Sequence, residues 1–114
     1  MKFMVMHYSN EENEAGVPPT PELMQAMGEY MADAAASGVL LAAEGVRESR
    51  LGARLTVDGG VETVVDGPFA EAKEIIAGFA ILDVKSKEEA IEHAKRFAKI
   101  SGATKIDIRQ VAEF

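Results

Sequence analysis

The alternation of apolar and polar positions divides this chain into extended stretches and two helices. Residues 2–8 carry Phe3, Met4, Val5 and Met6 in succession. Apolar side chains on both parities predict a strand buried on both sides, near the centre of a sheet. His7 and Tyr8 form its polar-tipped end. Residues 9–19 are polar and acidic and close in Pro18-Pro19, a loop about as long as a compact domain carries without a purpose. Thr20-Pro21-Glu22 then offers an N-cap, a proline at the first helical position and an acid in the first turn. Leu23, Met27, Tyr30, Met31 and Ala34 recur behind it at helical spacing, and Gly38 ends the helix. A methionine stripe of this kind is core, not a cofactor box.

Residues 39–43 are a short apolar run that delivers Glu44 where a buried strand ends. Residues 51–57 and 61–65, separated by Asp58-Gly59-Gly60, alternate Val and Thr around a glycine-rich turn and predict a β-hairpin. Residues 75–83 predict another strand, in which Gly78 marks a bulge or a close approach by a neighbour. Ser86 and Glu89 form a capping box for a helix that turns Ala90, Ile91, Ala94, Phe97 and Ala98 inward and stops at Gly102. Residues 105–111 alternate again, with Ile106 and Ile108 on one face and Asp107 and Arg109 on the other. Polar residues at those positions point to a cavity or subunit contact on that side of the sheet.

The resulting order, β-α-β, hairpin, β-α-β, predicts an α+β fold on the ferredoxin-like split βαβ plan with an inserted β-hairpin. Two helices cover one sheet face, which leaves the other face, apolar in its first strand, in need of a partner. A homodimer that pairs two sheets supplies one, with pockets where the sheet meets its neighbour.

Size and charge narrow the function. A chain of 114 residues predicts one domain, 1–114, with a single core. Twelve basic against 19 acidic residues give a net charge of -7, which repels phosphate backbones and anionic lipid heads, so nucleic acid and membrane are not expected as partners. The absence of cysteine removes disulfides, thiolate metal sites and a cysteine nucleophile, and fits a reducing compartment. With no apolar run long enough to span a bilayer and no signal-peptide pattern, a soluble cytoplasmic protein is expected.

The densest chemistry lies in Asp66-Gly67-Pro68-Phe69-Ala70-Glu71-Ala72-Lys73-Glu74. Asp66-Gly67-Pro68 is a chain reversal. Phe69 follows as a lone aromatic, and Glu71 and Glu74 share one side of any helical turn. This corner serves as the rim of a cleft or as a solvated turn whose Phe plugs the core, and its residue types alone fit both.

Lys2-Phe3-Met4-Val5, Ala43-Glu44-Gly45, the nine residues from Asp66 to Glu74, Gly78-Phe79, Ile108-Arg109 and the terminal Glu113-Phe114 together resemble the YCII-related proteins of the DGPF-domain group. The resemblance spans essentially the whole chain. It implies a bacterial, cytoplasmic, dimeric α+β barrel built from ferredoxin-like protomers. It also implies an association with sigma factors of the extracytoplasmic-function type, and it implies no reaction. The YciI proteins proper are thought to use a His and Asp pair with the His on the first helix. Here residues 21–37 hold no His, so that pair does not transfer.

The ionisable residues at strand ends, on the motif and on the polar face of the last strand define the expected cleft. His7, Glu44, Asp66 and Glu71 are the candidate acid-base residues. Tyr8, Phe69, Lys73 and Arg109 are the candidate substrate-binding residues, the two cations suited to an anionic ligand or to developing negative charge. No ligand spacing for a metal is present, and no GxxxxGK[ST], GxSxG or GxGxxG motif, so no metal or cofactor is expected. These residues predict a homodimeric small-molecule-binding protein, with cofactor-free acid-base chemistry as its enzymatic form. The rival expectation is a sensor or accessory module linked to a sigma factor, and the third is a purely architectural motif.

Overall fold

The computed structural model describes residues 1–68 and 71–114. Strands β1 (Lys2–Tyr8), β2 (Leu40–Gly45), β3 (Ala53–Asp58), β4 (Val61–Asp66), β5 (Ile76–Asp83) and β6 (Ile106–Gln110) accompany helices α1 (Glu11–Glu14), α2 (Pro21–Ala36) and α3 (Lys87–Ser101). Strands β2, β5, β1 and β6 form one sheet in that order, every neighbouring pair antiparallel. Strands β3 and β4 form a separate two-stranded antiparallel hairpin.

Local chemistry sets the helix boundaries. Thr20 Oγ1 accepts the Leu23 N–H at 3.2 Å and starts α2. Ser86 Oγ accepts the Glu89 N–H at 3.1 Å and starts α3. The Glu89 carboxylate reaches back to the Lys85 N–H at 2.9 Å, one residue beyond the capping-box position. At the other end of α3, Gly102 takes a positive φ of 77° and returns its N–H to the Ala98 carbonyl. Two elements depart from the sequence expectation. The loop at 9–19 contains α1, nucleated by Asn10, whose side chain accepts the Asn13 N–H at 2.8 Å. The hairpin begins at Ala53 because Ser49–Leu51 coils into a single 3₁₀ turn.

Phe3, Val5, Leu82, Val84, Ala90 and Ala94 make the buried core, with Val39, Leu40, Ala80, Ile106 and Ile108 packed around it. Residues directly opposite in a ladder share a face. Val5 pairs with Ala80 and Ile108, so this is the side on which α3 and α2 lie. Met4 pairs with Ile81 and Arg109, and Met6 with Phe79 and Asp107. Those side chains belong to the opposite, uncovered face.

Candidate functional site

The open face has an apolar floor and polar margins. Met4, Met6, Phe79 and Ile81 occupy its centre, each only partly buried. On the β2 side Glu44 stands opposite Phe79. On the β6 side Tyr8, Asp107 and Arg109 project from the same face, because side chains two residues apart on a strand share one side. The Tyr8 hydroxyl donates to Asp107 Oδ2 at 2.5 Å, and Lys105 places its ammonium 3.9 Å from the Tyr8 ring centroid. That hydrogen bond is the main cause of a Tyr8 pKa above the usual phenol value, with desolvation and the Asp107 charge adding to it. Tyr8 therefore stays protonated near neutral pH and acts as a donor. Among the described residues Arg109 makes no ion pair within the chain.

His7 lies on the other side of the sheet. Its ring packs 5.1 Å from that of Phe97 on α3, and Phe97 in turn meets Tyr30 of α2 at 6.4 Å. Burial holds the His7 pKa below its ordinary 6.5. Gly78 is the space that admits this ring: a Cβ built there falls 2.6 Å from His7 Cε1 and 3.0 Å from the Glu44 carbonyl oxygen. The expected close approach at Gly78 is thus the imidazole. His7 and Tyr8 are neighbours in sequence but face opposite layers, so within one chain they do not address the same cleft. His93, on α3, is half-buried. Its Nδ1 accepts from Arg96 at 3.1 Å, and desolvation followed by the Arg96 charge lowers its pKa.

The Asp66–Glu74 corner is built against a second segment that the sequence did not single out. The Gly67 N–H donates to the Gly52 carbonyl at 3.0 Å. A Cβ at Gly67 would sit 1.8 Å from the Ser49 carbonyl oxygen, so only glycine lets the two backbones touch there. The Gly67-Pro68 peptide bond is cis. Ser49 is held in turn by Glu14 of α1, whose carboxylate accepts the Ser49 N–H at 2.9 Å and also the Ser49 hydroxyl. Glu48, 8% exposed, accepts from Arg47 at 3.2 Å and from Arg50 at 2.9 Å. The Arg47 hydrogen bond, more than any other influence, keeps its carboxyl below the usual carboxylate range.

Two hollows adjoin this corner. One, of about 420 Å³, is lined by Glu11, Glu14, Arg50, Pro68, Glu71 and Ala72. The other, of about 400 Å³, is mostly apolar, with Val46, Leu51, Ala53, Ile75 and Ile76 beside the Arg47-Glu48-Ser49 wall. The corner is tied to the end of β1 by a 2.8 Å bond from the Ser9 N–H to the Ile75 carbonyl.

The predicted residues therefore fall into separate groups. Tyr8, Glu44 and Arg109 share the open face. Glu71 lines the polar hollow, and Lys73 is exposed beside it in the 3₁₀ turn Ala72–Glu74. Asp66 ends β4 opposite Ala53 and is exposed. His7 is on the helix side, and Phe69 lies outside the described residues. Lys105, Asp107, Glu14, Ser49 and Arg50 were not among the candidates. The first two carry a readable signal, since Lys105 and Asp107 share the parity of Arg109. Glu14 and Ser49, 35 residues apart, meet only through the tertiary fold, whereas Arg50 pairs with Glu48 two residues before it. Among the described residues no three acidic or histidine side chains are placed to hold a metal ion, and no helix is long and apolar enough to cross a membrane.

Known proteins share this architecture. The fold is similar to that of 5-chloro-2-hydroxyhydroquinone dehydrochlorinase (TftG) from Burkholderia phenoliruptrix AC1100, solved in complex with 2,5-dihydroxybenzoquinone. The TM-score is 0.54, at 10% identity, over 100% of this chain and 96% of that one. At that identity the likeness is one of fold. An uncharacterised protein of Rhizobium meliloti is 38% identical over 52 residues, a match that spans 46% of this chain and 42% of that protein. The family model of the YCII-related domain covers residues 1–114, and the chain belongs to that family.

Proposed function

We propose that this protein is a homodimeric small-molecule-binding protein on the ferredoxin-like, dimeric α+β barrel plan. Its ligand lies on the open sheet face beside the Asp66–Glu74 corner, and its chemistry is acid-base without a cofactor. The observation that carries this reading is the Tyr8 to Asp107 hydrogen bond of 2.5 Å at the margin of an apolar floor, bracketed by the cations of Lys105 and Arg109. A sheet face made only to be buried has little use for that cluster, because each charge costs solvation when covered. A ligand with a flat apolar body and an anionic end matches it: Met4, Met6 and Phe79 take the body, and Arg109 and Lys105 take the charge. Tyr8 then turns its hydroxyl from Asp107 to a ligand oxygen, as a hydrogen-bond donor or by passing its proton to that oxygen, in which case a proton from solvent restores the phenol. Glu44, across the floor, and Glu71, from the corner, are the further carboxylates within this reading. Ligand capture by the dehydrochlorinase supports the fold's capacity for small planar molecules. It does not transfer that enzyme's substrate.

The test is protein-observed NMR with small planar acids and their neutral amides as probes. The acids should shift the amides of Tyr8, Phe79, Asp107 and Arg109, the amides should not, and Arg109→Gln should weaken the response at least tenfold. Acid binding that leaves those four residues unmoved would remove the open face from consideration.

A further inference from the structure

Ser49, 8% exposed, offers two donors side by side behind the Asp66–Glu74 corner. Its N–H goes to Glu14 Oε1 at 2.9 Å and its hydroxyl to Oε2 of the same carboxylate. One donor on each oxygen is the way a carboxylate is held as a ligand, and hydrogen bonds to an ionised acceptor are the strong ones. The pair is fixed from behind. The Ser49 carbonyl accepts the Gly52 N–H at 2.9 Å and lies in the space that a Cβ at Gly67 would fill. The motif glycine therefore lets the corner brace the turn whose donors meet Glu14.

The carboxylate seated there is loosely tethered. Every residue of 10–19 is exposed except Glu14, which is partly buried, so this segment has no apolar anchor. Among the described residues its hydrogen bonds to any distant part of the chain are the two from Ser49, and its helix α1 is too short to sustain itself. On the other side of the serine lies the apolar hollow of about 400 Å³, which Ser49 lines together with Val46, Leu51, Ala53, Ile75 and Ile76. That volume suits a small molecule, and its branched aliphatic walls suit an aliphatic body. Glu11 and Glu71 share the polar hollow with Glu14, so a second anion does not add itself beside Glu14. It exchanges for it, one carboxylate for another, with the local charge unchanged. Next to the seat Glu48 pairs with both Arg47 and Arg50, which leaves that wall one positive charge in surplus.

We propose that Ser49 is a binding seat for the carboxylate of a small aliphatic acid, and that Glu14 fills this seat as a built-in competitor while the acid is absent. The acid lays its hydrocarbon body against Val46, Leu51 and Ile76 and puts its carboxylate on the Ser49 N–H and hydroxyl. Glu14 and segment 10–19 then lift away between two fixed ends: Ser9, whose N–H is held by the Ile75 carbonyl, and the Thr20 cap of α2. The competitor lowers the acid's apparent affinity by the fraction of time that the seat is free, so the strap sets the concentration at which the site fills. This site does not rest on the reading of the open face. Its hollow follows β2 and the start of β5, whereas Asp107 and Arg109 stand on β6 at the other edge of the sheet, with β5 and β1 between.

The test titrates hexanoate into the full chain, with hexanamide as its neutral counterpart and the backbone amides read by NMR. Hexanoate should shift the amides of Glu14, Ser49 and Leu51, and hexanamide should not. Glu14→Gln, which withdraws the competing charge, should bind hexanoate at least tenfold more tightly than the native chain, whereas a clasp with only a structural role would loosen without any gain in affinity. Adding Ser49→Ala to that variant should reverse the gain. Leu51→Asp alters a side chain 54% exposed, so it should keep the amide spectrum of a folded chain while weakening hexanoate binding at least tenfold. No response to hexanoate, equal affinity in the native chain and Glu14→Gln, a gain that survives Ser49→Ala, or an equal response to hexanamide would each overturn the site. Shifts confined to Tyr8, Phe79 and Arg109 would overturn it too, while leaving the open-face reading intact, so the two can fail separately.

Discussion

The two faces of the central sheet are made from the same strands and carry opposite chemistry. Under the helices, β1 contributes Phe3, Val5 and His7, and each finds its partner within the chain: Leu82 and Ala94 in the core, and Phe97 against the imidazole. On the other side β1 contributes Met4, Met6 and Tyr8, whose neighbours leave them partly uncovered beside Asp107, Lys105 and Arg109. One face is closed by packing. The other is left unfinished, and an unfinished face with charges at its margin is where binding can occur.

Substitutions of matched kind on the two faces separate these roles. The largest effect is expected from Phe3→Ala, which empties a site 3% exposed and should cost about 3–5 kcal/mol in urea unfolding. Met4→Ala, one residue along and on the open face, should cost about 1 kcal/mol or less in the dilute protein and weaken dimerisation instead. An equal loss of stability at the two positions would erase the distinction between the faces. Next in size is Gly78→Val. Its side chain meets His7 Cε1 at 2.6 Å and the Glu44 carbonyl oxygen at 3.0 Å, an overpacking expected to cost about 1–3 kcal/mol. Combining it with His7→Ala, which removes the ring, should return part of that loss.

A smaller effect should appear with pH. The unfolded chain protonates His7 near 6.5, and the folded chain does so only at lower pH because the ring is desolvated. Protonation therefore favours unfolding. The His7 contribution is fully present above about pH 6.5 and is lost as the pH falls through the folded value. His93, lowered for the same first reason, acts in the same direction. Urea midpoints should drop between about pH 7 and pH 5, and His7→Gln should flatten that drop. The smallest effect on stability is expected from Tyr8→Phe, because its hydrogen bond to Asp107 is exposed. The unfolding midpoint should barely move, while the NMR response to planar acids should fall by at least fivefold.

Much of this arrangement is legible in the chain itself. The mixed parities of residues 3–6 announce a central strand with apolar side chains on both faces, although in the chain only the Phe3 and Val5 side is buried; Thr20-Pro21 and Ser86 announce the helix starts, and the alternation of Ile106 and Ile108 with Asp107 and Arg109 announces a polar margin on one sheet face. The Asp58-Gly59-Gly60 turn announces the hairpin. The same parity rule, applied to β1, puts His7 with Phe3 and Val5 and away from Tyr8, so its place on the helix side was available from alternation alone. Other features were hidden for physical reasons. Helix α1 is four polar residues, Glu11–Glu14, with no apolar stripe to reveal a period. The 3₁₀ turn at Ser49–Leu51 looks like the start of a strand because Leu51 is apolar. The clamp of Glu14 on Ser49 joins segments 35 residues apart that meet only after folding, so no local pattern encodes it, whereas Arg47 and Arg50 reach Glu48 from one and two residues away.

The account stands on the open face being enclosed when two chains associate. The methyl groups of Met4 and Met6 report this directly through their relaxation by a soluble paramagnetic probe, measured across a dilution series. At concentrations where light scattering gives two chains, both methyls should be shielded at least as well as buried Val5, and both should become accessible as the protein is diluted to single chains. Met4 and Met6 methyls that relax as freely in the associated protein as in the diluted one would contradict it.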